Sequence, residues 1–409
     1  MKVCILSENY FHGGVASVLS SLAYGEFDDE IEFTLITNRN NPLLRSLNVS
    51  QSQFKEIILF QFVSTRNWFA GITPWSVRGG IRVFLDISRK ILKPFFLLYQ
   101  LHYFLKVFNK QHFDTLLNLN GGYPGSLTSR AASLAWSKSR SSGRQVMAIH
   151  NYATSSRFGF KLIDKFIDYL VMSAVDQVIT VSESCKLSFV NRPSLNSHRN
   201  IVVIPNGVAT TLRDDQSRDE FRNALSIADN SFTVLMLGSY ELRKGHEFLL
   251  QSFNELSKLN PSVRLLLAGD DPNRMIEHLQ KRVDQLRLGH LVTLLPFQID
   301  VSGLLEACDI VAIPSQSHES FCLVAVDAFK YSKPIVATNI GAIPETAPHG
   351  LGAILCDPDD TKSFTEAMYR LATDNALYNE YSRLSGDRFQ LFGVEKMVHN
   401  YHMCITSRK

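Results

Sequence analysis

Short apolar runs of strand length recur along this chain, each closed by a glycine or small polar turn and followed by a helix-length amphipathic segment. They come in two series. The first opens with KVCILS at 2–7 and passes through Gly13-Gly14 into a segment with Val15, Val18, Leu19 and Leu22 on one helical face. It continues through IEFTLITN, DTLLN at 114–118, and the runs at 145–149, 177–181 and 200–205. The second restarts with FTVLML at 232–237 and goes on through VRLLLAG, HLVTLL, DIVAIP at 309–314 and the run at 334–338. Strand and helix alternating in this way predict an α/β chain with mainly parallel sheets. Strand, glycine turn and helix is how a doubly wound sheet opens. At 409 residues the chain is too long for one ordinary domain. The hydrophilic stretch after Pro205-Asn206-Gly207 reads as the junction. The expectation is a domain over 1–204, a second over 205–385, and a final helix over 386–409 packing back on the first.

Composition narrows the class. With 45% hydrophobic and 20% charged residues the chain is globular. Its six cysteines are scattered, without CxxC pairs or neighbouring histidines, which argues against a zinc site or a disulfide framework and fits a reducing compartment. The opening run VCIL is too short for a signal peptide and reads as a buried strand. The most apolar window, 91–108, is interrupted by Lys93, Pro94, Gln100, His102 and Lys106, so no membrane span is expected. Charge is unevenly placed: residues 1–200 hold 22 Lys and Arg against 13 Asp and Glu, and the remainder holds 20 against 26. A basic half suggests an anionic partner there, and no nucleic-acid motif accompanies it. Residues 57–113 carry eight cations and one acid, Asp86, among many aromatic residues, and Arg82, Asp86, Arg89 and Lys93 share one helical face. Such a stretch suits a membrane-surface element as well as a solvated helix.

The stretch 314–346 concentrates polar chemistry. Glu319 precedes a helix and Asp327 lies eight positions on, roughly on the same side of the axis. The amides of Ser320, Phe321, Cys322 and Leu323 stand at the helix start, where an anion is favourably held. Arg243 and Lys244 lie in a turn before another helix, a poor place for cations with respect to the helix dipole unless an anion binds between them. His150 ends a strand, where open α/β sheets bind ligands, although a lone histidine is often structural. Gly13-Gly14 permits close approach of a ligand or marks only a tight turn. The acids of DPDD at 357–360 surround Pro358 and read as a turn and helix cap rather than a metal site. Cations and amides around a leaving diphosphate supply electrostatic stabilisation without a metal.

These residues carry a resemblance. VLMLGSYELRKG, LLLAGD, ACDIVAIPSQSHESFCLVAVDAFKYSKPIVAT and IPE follow the order and spacing of GT-B fold retaining glycosyltransferases of family 4, the glycosyl transferases group 1 class. The resemblance implies two Rossmann-like doubly wound domains facing a central cleft. It implies that Glu319 and His150 contact the donor sugar, that Arg243 and Lys244 bind the diphosphate, and that Asp327 binds the ribose. The glycine-rich loop falls on Gly13 and Gly14, the phosphate turn on Ser320 to Leu323, and backbone near Phe297 would meet the base. Four positions depart from the family pattern: Asp327 replaces the second Glu, Ser239 replaces a common Arg, and Ser320 and Cys322 replace flanking glycines. The implied reaction moves a hexose from a nucleotide sugar, UDP-linked, to a saccharide acceptor, lipid-linked, in surface polysaccharide biosynthesis (O-antigen, capsule or exopolysaccharide). It needs no metal or other cofactor and takes place in the cytoplasm, peripherally on the inner membrane face. The alternatives are a sugar-nucleotide epimerase on a similar fold and a non-catalytic sugar-nucleotide-binding partner subunit.

Overall fold

The computed structural model describes residues 1–10, 13–28, 30–62, 79–141, 143–156, 161–209, 218–271 and 274–407, without the side chains of 46, 49, 79–91 and 93. Two compact units are present: Met1–Val181, Cys185–Ile204 and Met397–Lys409 form one, and Ser182–Ser184 with Pro205–Lys396 form the other.

The first unit is built on a seven-stranded sheet of β1 (Lys2–Ser7), β2 (Glu32–Asn38), β3 (Phe54–Phe60), β4 (Thr115–Asn120), β5 (Arg144–Ile149), β6 (Gln177–Thr180) and β7 (Ile201–Val203). The order is β3-β2-β1-β4-β5-β6-β7 and the pairings are parallel. A central parallel strand is covered on both faces, which is why β4, TLLNLN, is buried at every position. Its Asn118 side chain is satisfied by the Ser129 carbonyl at 3.0 Å and the Ser133 hydroxyl at 3.1 Å, both on the helix Leu127–Trp136. Cys4, Leu6, Phe104, Phe108 and Trp136 form part of the core, with Phe108 meeting Trp136 edge-on at 5.3 Å. The helix Gly79–Lys110 packs beside Leu127–Trp136, which packs beside Lys161–Ala174. The cationic face expected from Arg82, Asp86, Arg89 and Lys93 falls on the first of these helices, but its side chains lie outside the described residues.

The second unit holds β8 (Phe232–Leu237), β9 (Val263–Ala268), β10 (Val292–Leu295), β11 (Ile310–Ile313), β12 (Ile335–Thr338) and β13 (Ala353–Cys356), in the order β10-β9-β8-β11-β12-β13 and again parallel. Each sheet therefore reverses its winding once, between β1 and β4 and between β8 and β11. Such a reversal point is the place where doubly wound sheets bind ligands.

The sequence suggests a single final helix over 386–409. The structure has two helices there, Asn375–Phe389 and Val394–Thr406. The break at 390–393 ends in Gly393, and Val208 pairs with that glycine in an isolated bridge. The DPDD turn is a cap: Asp360 accepts from the Ser363 amide at 3.0 Å and starts the helix Thr361–Thr373. No helix among the described residues is long and apolar enough to cross a membrane.

Candidate functional site

In the second unit, two loops meet at the winding reversal. The loop after β8 makes a short turn over Leu242–Lys244 and enters the helix His246–Leu259 through Gly245. Gly245 has φ +81°, and a Cβ there would stand 1.9 Å from the Pro314 carbonyl oxygen of the loop after β11. The same loops are joined by the Gln316 amide donating to the Arg243 carbonyl at 2.8 Å. Only glycine permits this approach, and its result is to bring Lys244 against Glu319, Nζ to Oε2 at 2.6 Å. Arg243 stands 3.8 Å from the same carboxylate and pairs with Glu241 at 2.7 Å. The Ser315 hydroxyl is 3.4 Å from Glu319.

The turn after Glu319 is oriented by its carbonyls. The Ala342 amide donates to the Glu319 carbonyl at 2.8 Å. The Ser182 hydroxyl donates to the Ser320 carbonyl at 2.6 Å, and the Thr346 hydroxyl donates to the Phe321 carbonyl. In a trans peptide the N–H points opposite to the C=O. Anchoring these carbonyls therefore turns the N–H groups of Phe321 and Cys322 the other way. Cys322 then takes a left-handed backbone, φ +75°, as the cap residue of the helix Leu323–Lys330. That conformation costs a non-glycine residue roughly 1–2 kcal/mol. Burial pushes the Cys322 thiol up to about 12, so it is no nucleophile at neutral pH.

Asp327 sits on this helix, half-buried, and burial pushes its carboxyl up to about 6 against a partial offset from Lys330. Lys330 is itself lowered by burial, with Asp327 and Asp300 opposing. His246 is buried beneath the Lys244 turn, 4.9 Å from the Tyr240 ring, and burial lowers it to about 4. It is neutral and adds no charge to the Arg243–Lys244 pair. Phe297 follows β10, two strands from β8, with an exposed ring.

In the first unit, Gly13 follows β1 and caps the helix Gly14–Tyr24. Its φ of 169° is extended backbone, and a Cβ there would meet nothing within 4 Å. Among the described residues, neither a left-handed backbone nor a close neighbour demands a glycine at 13. His150 follows β5 and is buried, its Nε2 3.4 Å from the Tyr401 hydroxyl. Burial, with the nearby Cys404, raises the Tyr401 phenol, which stays protonated. Either group can donate in this contact, depending on the imidazole tautomer.

Residues 217–385 match the family model described as glycosyl transferases group 1. The second unit carries a glycosyl transferases group 1 domain. Among curated relatives of the chain, the lipopolysaccharide 1,2-N-acetylglucosaminetransferase of Salmonella typhimurium is 25% identical over 209 residues, 49% of this chain and 55% of that protein. The D-inositol 3-phosphate glycosyltransferase of Corynebacterium jeikeium is 27% identical over 216 residues, 49% of this chain and 51% of that protein. The chain thus spans about half the length of these relatives. Among solved structures, HepE of Anabaena in complex with UDP superposes with a TM-score of 0.73 at 18% identity, covering 98% of each chain. That likeness shows the fold, which is GT-B, with one α/β domain on each of the two parallel sheets.

The group 1 domain brings Arg243, Lys244, Glu319 and the Ser320–Leu323 turn together, with Asp327 about one turn into the helix Leu323–Lys330. Gly13, Gly14 and His150 belong to the first unit. Sequence reasoning misses Tyr401, Ser315 and the carbonyl anchors Thr346 and Ser182. Tyr401 lies 251 residues from the histidine it touches, and no local pattern marks such a pair.

Proposed function

We propose that this chain is a retaining glycosyltransferase that moves a hexose from a UDP-linked sugar to a lipid-linked saccharide during surface polysaccharide assembly. The observation that carries the reading is the meeting of Lys244 and Glu319, 2.6 Å apart, beside amides turned outward at the start of Leu323–Lys330. A diphosphate has use for the lysine and the amides, and a sugar has use for the carboxylate. In this reading Lys244 and Arg243 hold the diphosphate, Asp327 accepts from the ribose diol, and backbone near Phe297 meets the base. Glu319 and His150 serve the transferred sugar, and Gly13-Gly14 admits the donor. The acceptor hydroxyl bonds to the anomeric carbon while the bond to the diphosphate breaks. The leaving phosphate oxygen takes the acceptor's proton on the same face, which preserves the anomeric configuration.

The HepE structures with UDP and with UDP-glucose support the donor class. The Salmonella relative's name supports the polysaccharide setting. The basic first half supports attachment to the inner face of an anionic membrane. The charge of the diphosphate is met by side chains and amides, so the reaction is assigned no metal.

The test is a nucleotide-sugar panel scored by release of UDP or GDP. Lys244→Ala and Glu319→Ala should each lower turnover by a hundredfold or more, and wild-type turnover should persist in EDTA. Full activity in both variants would remove the assignment. UDP binding without turnover for every donor would favour a binding subunit instead, and a changed sugar nucleotide without acceptor an epimerase.

A further inference from the structure

Four charged side chains meet inside the first unit. Arg130 on the helix Leu127–Trp136, Asp168 on the helix Lys161–Ala174, and Arg192 just after the turn Ser188–Asn191 are all buried, and Asp164 lies one turn before Asp168. Arg192 Nη1 donates to Asp168 Oδ2 at 2.9 Å and stands 3.5 Å from Asp164, and Arg130 is 3.6 Å from Asp164. The Tyr123 hydroxyl donates to Asp168 Oδ1 at 3.0 Å. Two cations face two carboxylates, so the cluster is balanced within itself. A buried ion pair is a poor source of stability, because its charges lose their water and apolar residues of like volume often serve as well. What such a cluster supplies is a fixed geometry, since each charge has to meet its partner.

The outward bonds of the cluster show which part of the chain it fixes. Arg192 Nε donates to the Thr154 carbonyl at 2.6 Å, and Nη1 also donates to the Ser156 hydroxyl at 2.9 Å. The residues before Arg192 hold the same run: the Asn191 side chain donates to the Ala153 carbonyl at 3.1 Å, and the Ser188 hydroxyl accepts from the Ala153 amide at 2.8 Å. From the other side, the Tyr123 carbonyl accepts from the Thr154 amide at 2.8 Å. The Cys185 thiol donates to the Asn151 carbonyl at 3.3 Å. The chain is thus held at 151, 153, 154 and 156, and His150 stands at the head of that run, its own amide donating to the Asn120 carbonyl at 3.0 Å. Thr154 and Ser155 are exposed, so bonds rather than packing set the path of the run.

We propose that Arg192 is a positioning residue for His150. Locked by Asp168, its guanidinium holds the run 151–156 and thereby sets where the imidazole stands. The inference rests on the reading of His150 given above, in which this side chain serves the transferred sugar.

The test compares Asp168→Asn/Arg192→Met and Arg192→Lys with wild type in the full chain. The double variant removes one charge of each sign, nearly keeps side-chain volume and leaves an oxygen for the Tyr123 hydroxyl, so its denaturant midpoint should stay near wild type. It loses the bonds to Thr154 and Ser156. Its kcat should fall by about tenfold or more while KM for the donor stays within about twofold, the signature of a misplaced group that acts in the transition state. The His150 ring signals of histidine-labelled protein, assigned with His150→Gln, should shift. Arg192→Lys keeps the charge without the fork and should fall between; it carries the same readouts if the double variant unfolds. A cluster that served stability alone would move the midpoint and leave kcat and the ring signals in place. That result, or a fall in kcat with unmoved ring signals, would overturn the proposal. Wild type that turns over no donor would remove the enzymatic reading, and the ring signals would then decide the positioning by themselves: shifted they uphold it, unmoved they overturn it.

Discussion

Asp327 is the residue whose chemistry depends most on its surroundings. Burial holds its carboxyl at about 6 against an ordinary 3.8. Between those values the native state binds a proton that the unfolded state lacks. The residue's contribution to stability therefore declines as pH rises from about 4 through about 6. Nucleotide binding runs the other way, because a ribose diol donates two hydrogen bonds and needs the ionised acceptor. UDP affinity, followed by calorimetry, should rise as pH increases through about 6. Asp327→Asn should flatten that profile and weaken binding at higher pH by roughly tenfold or more, as expected for hydrogen bonds to a charged group. A pH-independent wild type would remove Asp327 from the diol.

Tyr401 gives a second residue-scale expectation. Its hydroxyl lies 3.4 Å from His150 Nε2; where Tyr401 donates, nitrogen NMR of histidine-labelled protein should find the His150 proton on Nδ1. Tyr401→Phe should remove that bias while the fold persists. An unchanged tautomer would reduce Tyr401 to packing.

At the scale of elements, the site depends on how closely two strand-end loops approach. Gly245, with φ +81° and no room for a Cβ against Pro314, pins them together. Gly245→Ala should cost about 3 kcal/mol, combining left-handed strain with a backbone clash. It should also separate Lys244 from Glu319. Denaturant titration reads the first effect and UDP binding the second. The glycine turn, the strand end and both charged residues are legible in the sequence, because strand runs and turns are local signals. The 2.6 Å pairing of Lys244 with Glu319 is not. It depends on β8 and β11 being sheet neighbours although they are separated in sequence by two further strands. The final helical stretch reads as continuous because helical periodicity resumes on both sides of 390–393, and only Gly393 hints at the break.

The whole molecule keeps its thiols inside. All six cysteines are free and buried. Burial pushes Cys308 up to about 12 and Cys356 up to about 11, and raises Cys4 further. Alkylation near pH 8 should label almost none of them in the native protein and all six in denaturant. Rapid native labelling would show that one of the two cores opens readily. The scattered spacing of these residues already argues against a disulfide framework, but their burial becomes legible only once the strands and helices are placed.

The helix Val394–Thr406 has a consequence for the order of events in synthesis. Its residues seal the first unit: Val398 covers Gly25, the Ile405 carbonyl accepts from Thr115, the Cys404 carbonyl accepts from Arg144, and Tyr401 meets His150. Residues 397–409 leave the ribosome only after the whole second unit. Domains made first ordinarily fold first, but here the earlier-made half waits with a seam open along β4 and β5. The group 1 domain, complete in itself, can reach its native state ahead of the half that precedes it.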